Sequence, residues 1–114
     1  VTTLYGISNC DTIRKAKKWL DAAGVEYTFH DYRKNGLDRD QLESWSKELG
    51  WEALLNKRGT TWRKLPDDVK ASVDESSAIE LMLEQPAMIK RPLLDNGSTK
   101  ALGFSDKQYS ELFA

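Results

Sequence analysis

Apolar, aromatic and β-branched residues run together over Thr3–Ile7 and predict a short strand, which the polar stretch Ser8-Asn9-Cys10-Asp11-Thr12 interrupts with turn and helix-capping residue types. A helix is expected to start there. Ile13, Ala16, Leu20 and Ala23 fall at three- and four-residue steps, Arg14, Lys15, Lys17 and Lys18 turn outward, and Gly24 is placed to stop it. Val25–Tyr32 then alternates, with Val25, Tyr27 and Phe29 on one face and Glu26, Thr28 and His30 on the other, which predicts a second strand. Two strands joined by a helix of this length form a parallel βαβ unit.

The loop Arg33-Lys34-Asn35-Gly36 precedes a capping-box pattern, Asp38-Arg39-Asp40-Gln41, flanked by Leu37 and Leu42 at the spacing of a hydrophobic staple. This predicts a helix to Leu49, stopped by Gly50, and a further helical turn at Trp51–Leu55. Residues 56–64 have no apolar period and read as an exposed loop. Pro66 is suited to begin a short helix, and Ser76–Gln85 predicts a longer one with Ile79, Met82 and Leu83 inward. The pattern changes again at Met88–Leu94 and Lys100–Gly103, two strand candidates around Asp95-Asn96-Gly97-Ser98, whose Asn-Gly pair signals a hairpin. Ser105-Asp106-Lys107-Gln108 is a second capping-box pattern, with Phe104 and Tyr109 at staple spacing before a C-terminal helix. The predicted order is β-α-β, helices, β-β-α, as a single domain over 1–114 with a helical insertion at approximately 38–86.

The 114 residues carry 17 basic and 18 acidic side chains, a net charge of −1 that supplies no overall field for nucleic acid. No apolar run approaches the ~18 residues of a membrane span, and the start of the chain lacks the basic and apolar regions of a signal peptide. A soluble cytoplasmic protein that binds neither nucleic acid nor membrane is expected. With one cysteine, Cys10, the chain has no intramolecular disulfide, and a thiolate-built zinc site is excluded, so no metal is expected.

A lone cysteine is often a packed small hydrophobe, but Cys10 lies in a polar turn between a strand and a helix start. Free N–H groups and the positive end of the helix dipole there favour a thiolate, and Arg14, one turn on, is placed to add to that effect. Ile13 occupies the position of a resolving cysteine in a Cys-x-x-Cys, so turnover needs an external thiol such as glutathione or a redoxin. Arg58, in a stretch with four bases and no acid, and Arg91, immediately before Pro92, are candidate donors to an oxyanion or carboxylate. The single histidine, His30, reads as a surface residue, and the four tryptophans as packing residues.

The pattern resembles the ArsC (arsenate reductase-like) family of the thioredoxin superfamily, most closely its small YffB-type branch. The resemblance rests on Tyr5-Gly6-Ile7-Ser8-Asn9-Cys10-Asp11-Thr12 followed by Arg14, on Asn56-Lys57-Arg58-Gly59-Thr60 leading to Leu65, and on Ile89-Lys90-Arg91-Pro92-Leu93 before Asp95-Asn96-Gly97. It implies an α/β, thioredoxin-like fold with a helical insertion between the second and third strands, and a cis proline at Pro92 beside the cysteine. It further implies Cys10 as nucleophile, Arg58 and Arg91 as binders of substrate or thiol, no bound cofactor, and glutathione as co-substrate. Arsenate reductases of the family carry another arginine late in the chain, whereas here no arginine follows Arg91. The expected activity is therefore that of a thiol-dependent reductase with weak or absent turnover of arsenate. The Spx-type branch suggests an alternative, a regulator or other module that binds a protein partner without turnover, and a third reading is a scaffold with an idle thiol. Ile13 removes the Cys-x-x-Cys switch of Spx-type regulators.

Overall fold

The computed structural model describes residues 2–8 and 10–113. They form two compact units, one comprising Val1–Asn35 with Arg91–Ala114 and the other Gly36–Lys90.

The first unit is built on a four-stranded sheet of β1 (Thr3–Gly6), β2 (Thr28–Asp31), β3 (Leu93–Asp95) and β4 (Lys100–Leu102), in the order β2-β1-β3-β4. β1 runs parallel to β2 and antiparallel to β3, and β3 pairs antiparallel with β4. The register sets Leu4 between Phe29 and Leu94, with Ala101 beyond. This row packs with Ala16 and Leu20 of α1 (Asp11–Ala22) and Tyr109 of α8 (Asp106–Leu112) into one apolar cluster. Each fully buried leucine there contributes about 2 kcal/mol by area removed from water. Tyr5 points to the opposite face, as strand alternation requires, and its ring lies 5.2 Å from that of His30. His30 is thus half-buried among Tyr5 and Tyr32 rather than a free surface residue. With the insertion between β2 and β3, this is the thioredoxin-like arrangement.

β2 is shorter than the alternation predicts because Val25 still belongs to the end of α1. Its N–H donates to the Leu20 carbonyl at 3.0 Å and that of Gly24 to Asp21 at 3.2 Å, a Schellman closure with Gly24 at φ 72°. Pairing with β1 begins at Thr28. The expected loop after β2 is instead one helical turn, α2 (Tyr32–Asn35), whose N–H of Arg33 donates to the Asp31 carboxylate at 2.8 Å. The hairpin connection is four residues long, with the Asn96 side-chain oxygen accepting from the N–H groups of Ser98 and Thr99. At α8, Ser105 caps the Gln108 N–H at 3.1 Å, but the Gln108 side chain donates to the Leu102 carbonyl, so the box is half closed. Phe104 and Tyr109 do meet, edge to face, with ring centroids 4.7 Å apart.

The second unit is helical: α3 (Arg39–Leu49), α4 (Trp51–Leu54), α5 (Thr60–Arg63), α6 (Asp67–Ala71) and α7 (Glu75–Glu84), then a 3-10 turn at Pro86–Met88. The Asp38 side chain caps α3 by accepting the Asp40 N–H, and α7 has a complete capping box between Asp74 and Ser77. The 56–64 stretch is not wholly a loop, since α5 forms one turn and buries Trp62. A single inward side chain leaves no period to read. Nor is Met88–Leu94 one strand: its first part stays in the helical unit, where the Lys90 N–H donates to the Leu54 carbonyl at 2.7 Å. The peptide bond that follows, Arg91-Pro92, is cis, as the family resemblance implies. None of the described helices is long and apolar enough to cross a membrane.

A Cβ on Gly6 would lie 2.3 Å from Cδ1 and 3.2 Å from Cγ1 of Ile13, which is itself buried. Gly6→Ala is therefore expected to destabilise the protein by about 1–3 kcal/mol, the usual cost of overpacking, read from the urea-denaturation midpoint.

Candidate active site

β1 ends at Gly6 and the chain enters α1 through Cys10, which occupies the N-cap position with extended backbone, φ −103° and ψ 130°. Its carbonyl accepts the first intrahelical bond, from the Arg14 N–H at 3.0 Å. A helix start leaves N–H donors without intrahelical partners. A thiol is a poor cap and Cys10 closes no bond of the Ser or Asp kind, so the N–H groups of Ile13 and Thr12 remain directed at the sulfur. Partial burial disfavours the thiolate, but the Ile13 N–H, a hydrogen bond from the Arg91 guanidinium, the Thr12 N–H and the Arg91 charge outweigh it. The balance holds the Cys10 thiol below its ordinary range while leaving it partly accessible.

Arg91 thus reaches the Cys10 sulfur from the far end of the sequence, two residues ahead of β3, and the cis bond to Pro92 follows it directly. Arg14 behaves differently. Its guanidinium pairs with the Asp11 carboxylate on the exposed side of α1, so the cation that bonds the sulfur is Arg91 rather than the neighbour one turn away. Arg58 belongs to the helical unit, on a turn where its N–H donates to the Asn56 side-chain oxygen at 3.2 Å, and its side chain is exposed.

Two residues beside the site were not singled out from sequence. Asp31 is buried at the end of β2, and its carboxylate accepts the Ser8 N–H at 3.3 Å. Burial would raise its pKa, yet the N–H groups of Arg33, Ser8 and Lys34 and the Ser8 hydroxyl hold it below the ordinary carboxylate range. Tyr32, next along, is buried and has its hydroxyl pKa pushed well up by burial and by Tyr5, with the Arg91 charge opposing that rise. An aspartate at a strand end directly before a helical turn is an N-cap signal, legible once α2 is known to exist.

A model of the ArsC family matches residues 5–112. The chain belongs to the ArsC family. An uncharacterized protein of Haemophilus influenzae is 45% identical over 112 residues, covering 98% of each chain. The global transcriptional regulator Spx 2 of Bacillus anthracis is 28% identical, covering 95% of this chain and 83% of the regulator. Among solved structures, a protein named YFFB is 50% identical over the full length of both chains with a TM-score of 0.94. An arsenate reductase (ArsC) related protein from Brucella melitensis is 53% identical, with a TM-score of 0.82 over 98% of this chain and 93% of the other. The chain is thus similar both to an arsenate reductase related protein and to a transcriptional regulator.

The Cys10 alkylation rate, followed against pH with a small neutral reagent, is expected to show a midpoint below the free-thiol value of about 8.5. Because the guanidinium favours the anion, Arg91→Ala moves that midpoint up, while Arg14→Ala leaves it in place. A larger upward shift for Arg14→Ala than for Arg91→Ala contradicts the assignment of the cation.

Proposed function

We propose that the protein is a thiol-dependent reductase of the reducing cytoplasm, with Cys10 as nucleophile and glutathione or a redoxin as the external thiol. The observation that carries this reading is the meeting at one sulfur of helix-start N–H groups and the Arg91 guanidinium, which favours the attacking form of the thiol. The Cys10 thiolate attacks one sulfur of an oxidised substrate disulfide, forming a mixed disulfide as the other sulfur leaves as thiolate. A thiolate of glutathione or a redoxin then attacks the Cys10 sulfur of that mixed disulfide and releases the second substrate thiolate. A further external thiolate attacks the new disulfide, restoring Cys10 and leaving as glutathione disulfide or oxidised redoxin. The external thiol is required because Ile13, three residues on, is a buried aliphatic side chain where a resolving cysteine would stand.

Glutathione suits the available cation better than arsenate does. Its carboxylates can be held singly by a guanidinium fork or by backbone N–H groups, whereas a compact, multiply charged oxyanion needs several fixed cations. No arginine follows Arg91 to supply another. The rival reading, a regulator acting through a protein partner, draws on the Spx relatives and places no demand on the chemistry of Cys10.

Oxidised glutathione is expected to convert Cys10 to a mixed disulfide, read as one glutathione adduct by intact mass, and reduced glutathione with glutaredoxin to reverse it. Arsenate turnover under the same conditions is expected to be weak or absent. Arg91→Ala should slow glutathionylation more than it slows reaction with an uncharged alkylating agent. Failure of the adduct to form, or equal slowing of both reactions, favours the regulator reading.

A further inference from the structure

Asp31 is the one buried carboxylate among the described residues, with 3% of its surface exposed. A carboxylate is costly to bury without compensation, so its contacts identify what it does there. Its two oxygens are divided between segments. One accepts the Arg33 N–H at 2.8 Å and starts α2, and the other accepts the Ser8 N–H at 3.3 Å, across to the chain that leaves β1 for Cys10. The aspartate is itself fixed, since it pairs with Gly6 in the β1/β2 register and its N–H donates to the Asn35 side-chain oxygen at 3.0 Å. The groups converging on the carboxylate are donors, N–H groups above all, which suits an acceptor-only side chain and not an amide.

Sequence position adds the second half of the argument. Ser8 is two residues before the nucleophile, and Tyr32, next to Asp31, is buried close enough to Arg91 to feel its charge. Of two consecutive residues at the β2–α2 junction, one therefore holds Ser8 and the other feels the charge of Arg91. We propose that Asp31 is a positioning residue, whose carboxylate tethers Ser8 and so holds the Cys10 sulfur where the N–H groups of Ile13 and Thr12 and the Arg91 guanidinium reach it.

The inference rests on Cys10 being the nucleophile, but its test needs neither substrate nor reductant and stands apart from the glutathione experiment. Asp31→Asn sets an amide N–H against the Ser8 or Arg33 N–H and breaks the shared acceptor. The charged group that bonds the sulfur, Arg91, is unchanged by it, and so is the Asp11–Arg14 pair on the exposed side of α1. The alkylation midpoint of Cys10 is then expected to rise by about half a pH unit, lowering the thiolate fraction below the midpoint about threefold, with the rate at full ionisation unchanged. Removal of a nearby negative charge, acting alone, would move the midpoint down, so the direction separates the tether from simple electrostatics. A purely structural role would lower the denaturation temperature and leave the midpoint where it is. An unchanged or lowered midpoint overturns the proposal. Should Asp31→Asn not fold, Ser8→Ala at its half-exposed loop position removes the hydroxyl's bond to the same carboxylate. It is expected to raise the midpoint by a smaller amount, and no rise overturns the proposal equally.

Discussion

Helix α1 begins with N–H groups that have no intrahelical acceptors, and the residue at its cap is a cysteine, whose neutral thiol satisfies them poorly. The same donors are well satisfied by a sulfur anion. Ionisation at Cys10 therefore repairs a deficit that the helix start creates, and the Arg91 guanidinium adds a full positive charge to the partial charges of the backbone. The rest of the sheet unit can be understood as what fixes these groups around one atom: the chain leaving β1 carries the cap, the segment entering β3 carries the cation, and the end of β2 braces the chain after β1 through Ser8.

That bracing depends on register. Leu4 fits between Phe29 and Leu94 and packs with Leu20 and Tyr109, while Tyr5 points the other way toward His30. A slip of one residue would exchange those faces and carry Gly6 and Cys10 out of position, so burial of Leu4 and Leu94 fixes the site as well as the fold. Gly6 belongs to the same constraint, because only a residue without a side chain leaves room for Ile13, whose N–H faces the sulfur.

Family membership and site chemistry answer different questions. The chain is similar both to an arsenate reductase related protein and to a regulator, and a fold hosts more than one activity. What distinguishes a reagent from a scaffold is the protonation and accessibility of one thiol. A partly accessible sulfur with a lowered pKa is poorly explained by packing alone, since a buried structural thiol would be shifted in the opposite direction.

Local chemistry made much of this legible in the sequence. The helical period of Ile13, Ala16 and Leu20, the stop at Gly24, the staple of Phe104 on Tyr109, and Cys10 at a strand-to-helix turn all depend on residues within a few positions of one another. The same locality explains the errors. Val25 looked like strand because it alternates with Tyr27, but its N–H is taken by the helix behind it; Trp62 anchors a single turn and so produces no period. Arg14 was the near cation in sequence, yet an aspartate three residues away claims it, and the guanidinium that reaches the sulfur comes from residue 91. The sequence by itself determined that Cys10 is a helix-capping thiol with no partner cysteine. Which cation meets that thiol, and which buried carboxylate braces its loop, were decided only by strand pairing, because they join residues 23 to 81 positions apart and no local propensity encodes such a distance.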